Sequence, residues 1–363
     1  MIAWYIIMIS MVVNLDKIDL SRADPDGMEK SLTNYCDMCL RALELAESFA
    51  VPSYLIKCKK ILFLGMGASG IIGEFFKDLM IDSSVMVNCI HDYNIPGWVD
   101  KETLVIAVSH SGDTEEVLYT FVSAFQKNAK LLAVTTGGKL NSLCSKYRVP
   151  VITYDFDSDS KLAFPYQFII PYIVLKKLGY LELTPDEFSQ TLDLLNSQKK
   201  KIEISSHLAV NPAKDIALKI INDLVFITSS SVLRSSGMRF AHSINVDAKS
   251  FAAFSFLPEI NHNFVSGLEA PKDLIKKMTV MMIESKFARM EIKKRQNITA
   301  QYLSSKRINY MRLDFPQSVN HFCEIILSVH FLEYIGMYMG FLNQTNPASS
   351  KAVELIKSEL SKE

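Results

Sequence analysis

Net charge is the first thing this sequence lacks. Lys and Arg together number 39, and so do Asp and Glu. No sustained field draws the chain toward nucleic acid or an anionic membrane, so neither is expected as a partner and any recognition of phosphate has to be local. Cysteine is sparse, with six in 363 residues, and Cys36, Cys39, Cys58, Cys89, Cys144 and Cys323 are scattered rather than spaced to frame a small disulfide-bonded domain. They read as reduced thiols of a cytoplasmic protein. The C-x-x-C at Cys36 and Cys39 lies in the apolar-periodic stretch Tyr35 to Leu45, where i and i+3 share a helical face. With no second Cys/His pair beside it, this pair is expected to pack rather than bind metal. No short tandem repeat is present. The apolar opening MIAWYIIMISMVV is shorter than the roughly 20 residues that span a bilayer, and it lacks the basic n-region and A-x-A site of a secretory signal. Translation is expected to begin at Met11.

The remaining composition is that of a well-buried α/β protein: 49% hydrophobic and 21% charged residues over a length that suggests two domains. A helix is expected from about 28 to 49. Five β-rich apolar runs follow, at 60–66, 85–91, 103–109, 130–136 and 149–154, with helical spacing at 71–80, 114–126 and 140–147 between them. Strands apolar along most of their length, alternating with helices, predict a parallel sheet covered on both faces. An apolar helix at 164–178 closes this unit. The Lys-rich stretch 184–212 reads as a connecting helix. A second, less regular alternation has runs at 224–228, 276–283 and 307–313, then a long apolar helix at 322–341 and a short amphipathic one at 353–360.

The first strand runs into Gly65-Met66-Gly67-Ala68-Ser69-Gly70 at a helix start, where glycines allow backbone N–H groups to approach an anion. The spacing satisfies G-x-G-x-x-G, and Asp92 stands where a dinucleotide fingerprint places its acidic residue, so a nicotinamide site is one reading of it. The third strand ends in Ser109-His110-Ser111-Gly112-Asp113-Thr114, again opening a helix. Ser109, Ser111 and Thr114 can surround one phosphate monoester, whereas a helix cap by Ser111 or Asp113 would explain a single residue. Two such loops at the carboxyl edge of neighbouring strands mark the ligand edge of an open α/β sheet.

These loops resemble the sugar isomerase (SIS) domain family, and residues 24 to 360 resemble the archaeal-type bifunctional phosphoglucose/phosphomannose isomerases. The resemblance is carried in order by Asp24-Pro25-Asp26-Gly27-Met28, by Tyr93-Asn94-Ile95-Pro96-Gly97-Trp98-Val99, by Thr135-Thr136-Gly137-Gly138-Lys139-Leu140, and by Leu257-Pro258-Glu259-Ile260-Asn261-His262-Asn263. It implies two doubly wound parallel-sheet α/β domains of SIS type plus N- and C-terminal helices. The expected divisions are an N-terminal extension and helix at 1–50, the first SIS domain with the phosphate cradle at 51–182, a connecting helix at 183–210, the second SIS domain at 211–345 and a C-terminal helix at 346–363. It further implies no metal and no cofactor, a sugar phosphate as substrate, and a homodimer with its active site at the subunit interface. Gly67, Ala68, Ser69, Ser109, Ser111, Thr114 and Lys161 are the expected substrate-binding residues.

The implied reaction interconverts glucose 6-phosphate and mannose 6-phosphate with fructose 6-phosphate through an enediolate. It needs an acid/base for ring opening, a base to move a proton between C1 and C2, and a cation near the enediolate. The resemblance assigns His262 to the first role. The family's N-E-N-A-K motif reads Asn245-Val246-Asp247-Ala248-Lys249 here, with Val246 where the glutamate base stands. Asp247 is then the expected carboxylate, and Glu259 is a second one. Lys161 replaces an arginine, keeping the charge without the planar fork. Arg239 alone survives from a basic family segment, with Phe240 expected in the core. Lys357 and Ser350 match a C-terminal lysine and hydroxyl, and Lys357 is expected to act catalytically. Three competitors remain: a catalytically impaired sugar-phosphate binder with a regulatory role, an amino-sugar or ketose-phosphate enzyme with another base, and a DNA-binding regulator, which the short non-basic N-terminal part disfavours.

Overall fold

In the computed structural model, which describes residues 13–56, 58–349 and 351–360, the chain forms two compact units. One holds Asn34–Ser189, and the other joins the residues from Gln190 onward to those up to Thr33. The apolar opening and Met11 lie outside the described residues.

In the first unit, β1 (Lys60–Leu64), β2 (Met86–Ile90), β3 (Thr103–Ser109), β4 (Lys130–Thr135) and β5 (Val151–Thr153) form one sheet in the order β2-β1-β3-β4-β5. All four pairings are parallel. Every residue of β3 is buried, because helices cover both faces and a central strand then has no solvent side. One face packs Leu62, Val105, Phe121 and Leu131. The other is aromatic, with Phe63 stacked on Phe76 at 4.7 Å and Phe75 edge-on to Phe164 at 5.2 Å. Helix Phe164–Lys177 is buried from Phe164 through Leu175, which is why its sequence is apolar all round rather than striped. Helix Tyr35–Ser48 packs on it and turns Cys36 and Cys39 inward. Both cysteines are buried, and burial pushes the Cys39 thiol well above its usual pKa.

The helix expected over 28–49 is two helices, Met28–Thr33 and Tyr35–Ser48, separated at Asn34. Each half serves a different core: Met28 and Leu32 are buried in the second unit, Tyr35, Met38 and Ala42 in the first. The Asp24 carboxyl starts the earlier helix by accepting from the Met28 and Glu29 N–H groups at 2.9 and 2.7 Å.

The second unit has β6 (Leu224–Ser229), β7 (Ala252–Phe256), β8 (Met278–Glu284) and β9 (Asn309–Asp314), all parallel, in the order β7-β6-β8-β9. The sequence pattern misses β7. Its run AAFSF is short, and only its first residue is fully buried, since the strand lies at the sheet's edge. Helix His321–Leu342 is long and apolar enough to cross a membrane, with a mean hydropathy of 1.5, yet 94% of that window is buried. It is the core helix of this unit, packed on helices Pro212–Ile220 and Arg234–Val246.

Candidate active site

An open sheet of order 2-1-3-4-5 binds ligands where its connections diverge, between the first and third strands. Both candidate loops of the first unit leave that point. Helix Gly67–Leu79 starts with Gly67 at φ +55° and no side-chain cap. A Cβ there would meet nothing within 4 Å, so glycine is required by the backbone angle while the space beside it stays open. On the neighbouring loop, Gly112 has φ +70°, and a Cβ on it would collide with the Gly137 carbonyl oxygen. The two loops touch: the His110 N–H donates to Ser69 Oγ at 3.4 Å.

The hydroxyls sort into those that face each other and those that brace. Ser109 Oγ donates to Thr114 Oγ1 at 3.2 Å. Thr114 occupies the N-cap position of helix Glu115–Gln126 without giving its side chain to that helix, which leaves the first-turn N–H groups available to an anion. Ser111 is exposed and accepts from the Asp113 N–H at 3.2 Å. Asp113 caps a different helix, Gly138–Tyr147, by accepting from the Lys139 N–H at 3.0 Å. The Thr135-Thr136-Gly137-Gly138 turn is thereby tied to the cradle, and Thr136 Oγ1 donates to the His110 carbonyl at 2.7 Å. The His110 ring is a strut. Its Nε2 must donate to the Ser158 carbonyl at 2.9 Å, its Nδ1 meets the Tyr154 hydroxyl at 3.0 Å, and burial lowers its pKa. Lys161 lies half-buried in the turn Ser160–Ala163, which packs on helix Gly67–Leu79. Asp92, the acidic residue of the dinucleotide fingerprint, is exposed just past β2 and accepts from the adjacent Tyr93 N–H.

In the second unit, Val246 ends helix Arg234–Val246 and is half-buried, whereas Asp247 is only 3% exposed. Successive helical residues point about 100° apart, and here that separates an outer position from a core one. Asp247 Oδ2 accepts from Ser243 Oγ at 2.6 Å. It faces helix His321–Leu342, where a Cβ added to Gly336 would stand 3.4 Å from that same oxygen. The expected base at Asp247 therefore meets a geometric obstacle, because its carboxyl is engaged inside the core. Arg239 is likewise internal, donating to Glu333 through both Nε and Nη2, and Phe240 is buried as expected.

Glu259 and His262 bound a short turn beyond the carboxyl end of β7, and both are exposed. Glu259 Oε1 accepts from Asn263 Nδ2 at 2.7 Å. Asn261 is the anchor of this motif. It donates to Thr299 Oγ1 at 2.9 Å and accepts from Arg295 at 3.4 Å, fixing the turn to helix Met290–Ser305 beside a cavity of about 730 Å³. Lys249 binds the carbonyls of Asn346 and Ser349, each at 2.7 Å, and holds the approach to helix Lys351–Leu360. The Lys357 side chain and Ser350 lie outside the described residues.

Two family models match the chain: "Bacterial phospho-glucose isomerase C-terminal SIS domain" over residues 209–360 and "SIS domain" over residues 54–153. A bifunctional phosphoglucose/phosphomannose isomerase of Caldicellulosiruptor bescii is 28% identical over 337 residues, 92% of this chain and 98% of its own length. Both matched segments are SIS domains, so the chain carries two of them, and it is similar over most of its length to this isomerase. A D-glucosamine-6-phosphate 4-epimerase of Sulfolobus acidocaldarius is 31% identical over 206 residues, 56% of this chain and 62% of that protein. Among solved structures, a hypothetical protein of Thermus thermophilus superposes with a TM-score of 0.71 at 15% identity, covering 94% of this chain and 92% of that one, a likeness of fold.

In SIS terms, the first domain brings together Gly67, Ser69, Ser109 and Thr114, with Ser111 on the outer rim. The second domain brings Glu259 and His262 onto one turn and sends Asp247 inward. Sequence reasoning missed the struts, among them His110 and Asn261. Both sit next to residues it did identify, within polar runs in which nothing distinguished a bracing side chain from a ligand-facing one.

Proposed function

We propose that this SIS protein is an aldose–ketose isomerase acting on glucose 6-phosphate, mannose 6-phosphate and fructose 6-phosphate. The observation that carries the proposal is the cradle at the divergence of β1 and β3: facing hydroxyls of Ser109 and Thr114, Ser69 alongside, and two helix starts without side-chain caps. Such a site holds a phosphate monoester by hydroxyl and backbone N–H groups and does not need a cluster of cations. The relatives' names supply the reaction and favour an enzyme over a non-catalytic binder.

His262 opens the sugar ring by moving a proton between O1 and O5, the role suited to an imidazole near neutral pH. A carboxylate then takes the C2 proton of the open-chain aldose, giving an enediolate, and returns it to C1 to form the ketose. We assign that carboxylate to Glu259, because its exposure and its place on the His262 turn leave it accessible, while Asp247 would first have to leave Ser243 and the core. Lys161 supplies the positive charge toward the enediolate, and Lys357 assists at the ring. Glucose and mannose 6-phosphates lose the same C2 asymmetry in this intermediate, so one mechanism serves both. The protein works as a cytoplasmic homodimer whose active site is completed at the subunit interface, within glycolysis and gluconeogenesis.

The test is purified protein with fructose 6-phosphate, followed for glucose and mannose 6-phosphates. Turnover lost in Glu259→Gln and kept in Asp247→Asn is the expected result. Ligand-dependent thermal stabilisation without turnover, together with turnover appearing in Val246→Glu, would reject the enzyme in favour of a binder.

A further inference from the structure

We propose that Glu74, Cys89 and His91 form a binding site for a thiophilic divalent cation of the Zn²⁺ class, at the edge of the first sheet beneath the glycine turn. Glu74 stands on helix Gly67–Leu79, Cys89 on the edge strand β2, and His91 just past that strand's end. Gly73 makes the convergence possible. A Cβ there would lie 2.5 Å from the Cys89 Cβ, so only glycine lets the helix settle this close to β2.

The donor atoms lie within 4.8 Å of one another. Cys89 Sγ is 3.1 Å and His91 Nε2 3.6 Å from the same Glu74 oxygen, Oε1. A tetrahedral Zn²⁺ with one sulfur and two N/O ligands separates its donors by about 3.3–3.6 Å, close to the two distances that Glu74 makes, so side-chain adjustment draws the three donors onto one ion. The histidine is oriented for the task. His91 Nδ1 lies 3.0 Å from the Gly65 carbonyl, which can only accept, so Nδ1 carries a proton and Nε2 is the nitrogen turned toward Glu74 and left to ligate. A backbone carbonyl holding the far nitrogen of a ligating imidazole is the usual outer support of such a site. One thiolate, one imidazole and one carboxylate suit Zn²⁺ better than Mg²⁺ or Ca²⁺.

Binding exchanges the Cys89 thiol proton to solvent for the cation, leaving thiolate, carboxylate and Zn²⁺ neutral together. Lys77, 3.5 Å from Glu74 Oε2, stays on the second carboxyl oxygen. The isomerisation needs no metal. The ion's effect would pass through His91 to the Gly65 carbonyl, at the base of the cradle, which makes this a control point rather than a catalytic centre.

Co²⁺ titration of the full chain tests it. We expect one Co²⁺ per chain with thiolate charge-transfer absorption, displaced by Zn²⁺, absent in Cys89→Ser and weakened about tenfold or more in His91→Gln, while Cys36→Ser behaves as the parent. A second readout covers a variant that fails to fold: Zn²⁺ protects Cys89 of the unaltered protein from alkylation, read by peptide mass. Absence of the absorption in the parent chain, its persistence in folded Cys89→Ser, or alkylation indifferent to Zn²⁺ would overturn the site and leave a purely hydrogen-bonded cluster.

Discussion

The two sheets share the beginning of one strand order, β2-β1-β3-β4 in the first and β7-β6-β8-β9 in the second, but their third strands end differently. After β3, Ser109 and Thr114 turn their hydroxyls to each other at the head of a helix. After β8, Ser285 Oγ donates to Glu324 Oε2 at 2.6 Å, and the Lys286 N–H donates to Glu324 Oε1 at 2.7 Å. Glu324 lies in the first turn of helix His321–Leu342 and has no exposed surface. The topology thus creates an anion-accepting edge twice. One copy is left for a ligand, while the other is filled by a carboxyl group of the chain itself.

The largest effect is expected where the proposed chemistry departs from the core. Glu259→Gln should lower kcat by about 10²–10⁴ with little change in thermal stability. Were Asp247→Asn to cause that loss in a protein that stays folded, the base would belong to the core position and the division drawn between Glu259 and Asp247 would fail.

Ser109→Ala and Thr114→Ala each remove a hydroxyl expected to bond a charged phosphate. Such bonds contribute about 1.5–3 kcal/mol, or roughly 10–100-fold in affinity for fructose 6-phosphate. Ser285→Ala at the matching position of the second sheet should leave that affinity unchanged, and calorimetry with all three variants decides whether only one edge serves a ligand.

Glu324→Ala strands a buried hydroxyl and N–H and should cost about 1–3 kcal/mol of stability by denaturant unfolding. Its pH dependence has a definite sign. Burial raises the Glu324 pKa above its usual value, so on raising the pH from near 4.5 through the elevated folded value the unfolded chain loses its proton first. Stability falls across that window, and Glu324→Gln should flatten the fall. The smallest change is expected for Asp247→Asn, about 1 kcal/mol of stability from the altered Ser243 contact, with kcat essentially unchanged.

Much of this protein is legible along the chain. The inner strands β1, β3, β4, β6 and β8 are short, largely apolar stretches, and burial on both faces of a parallel sheet imposes that local pattern. The glycine and hydroxyl loops are legible for the same reason, because a turn at a strand end is decided within a few residues. The strand β7 escaped because an edge position does not require an apolar run, and the break at Asn34 because two cores claim one helical pattern.

What the tertiary structure alone decided is which polar group faces what. The sequence placed Val246 and Asp247 side by side, and only packing against helix His321–Leu342 sends the carboxyl of Asp247 inward. Ser285 meets Glu324 across 39 positions of sequence, and Cys89 meets Glu74 across 15. Periodicity reports the side of an element that is buried, but a hydrogen-bond partner or a shared cation site is set by the elements that fold against it, and that information is not local to the chain.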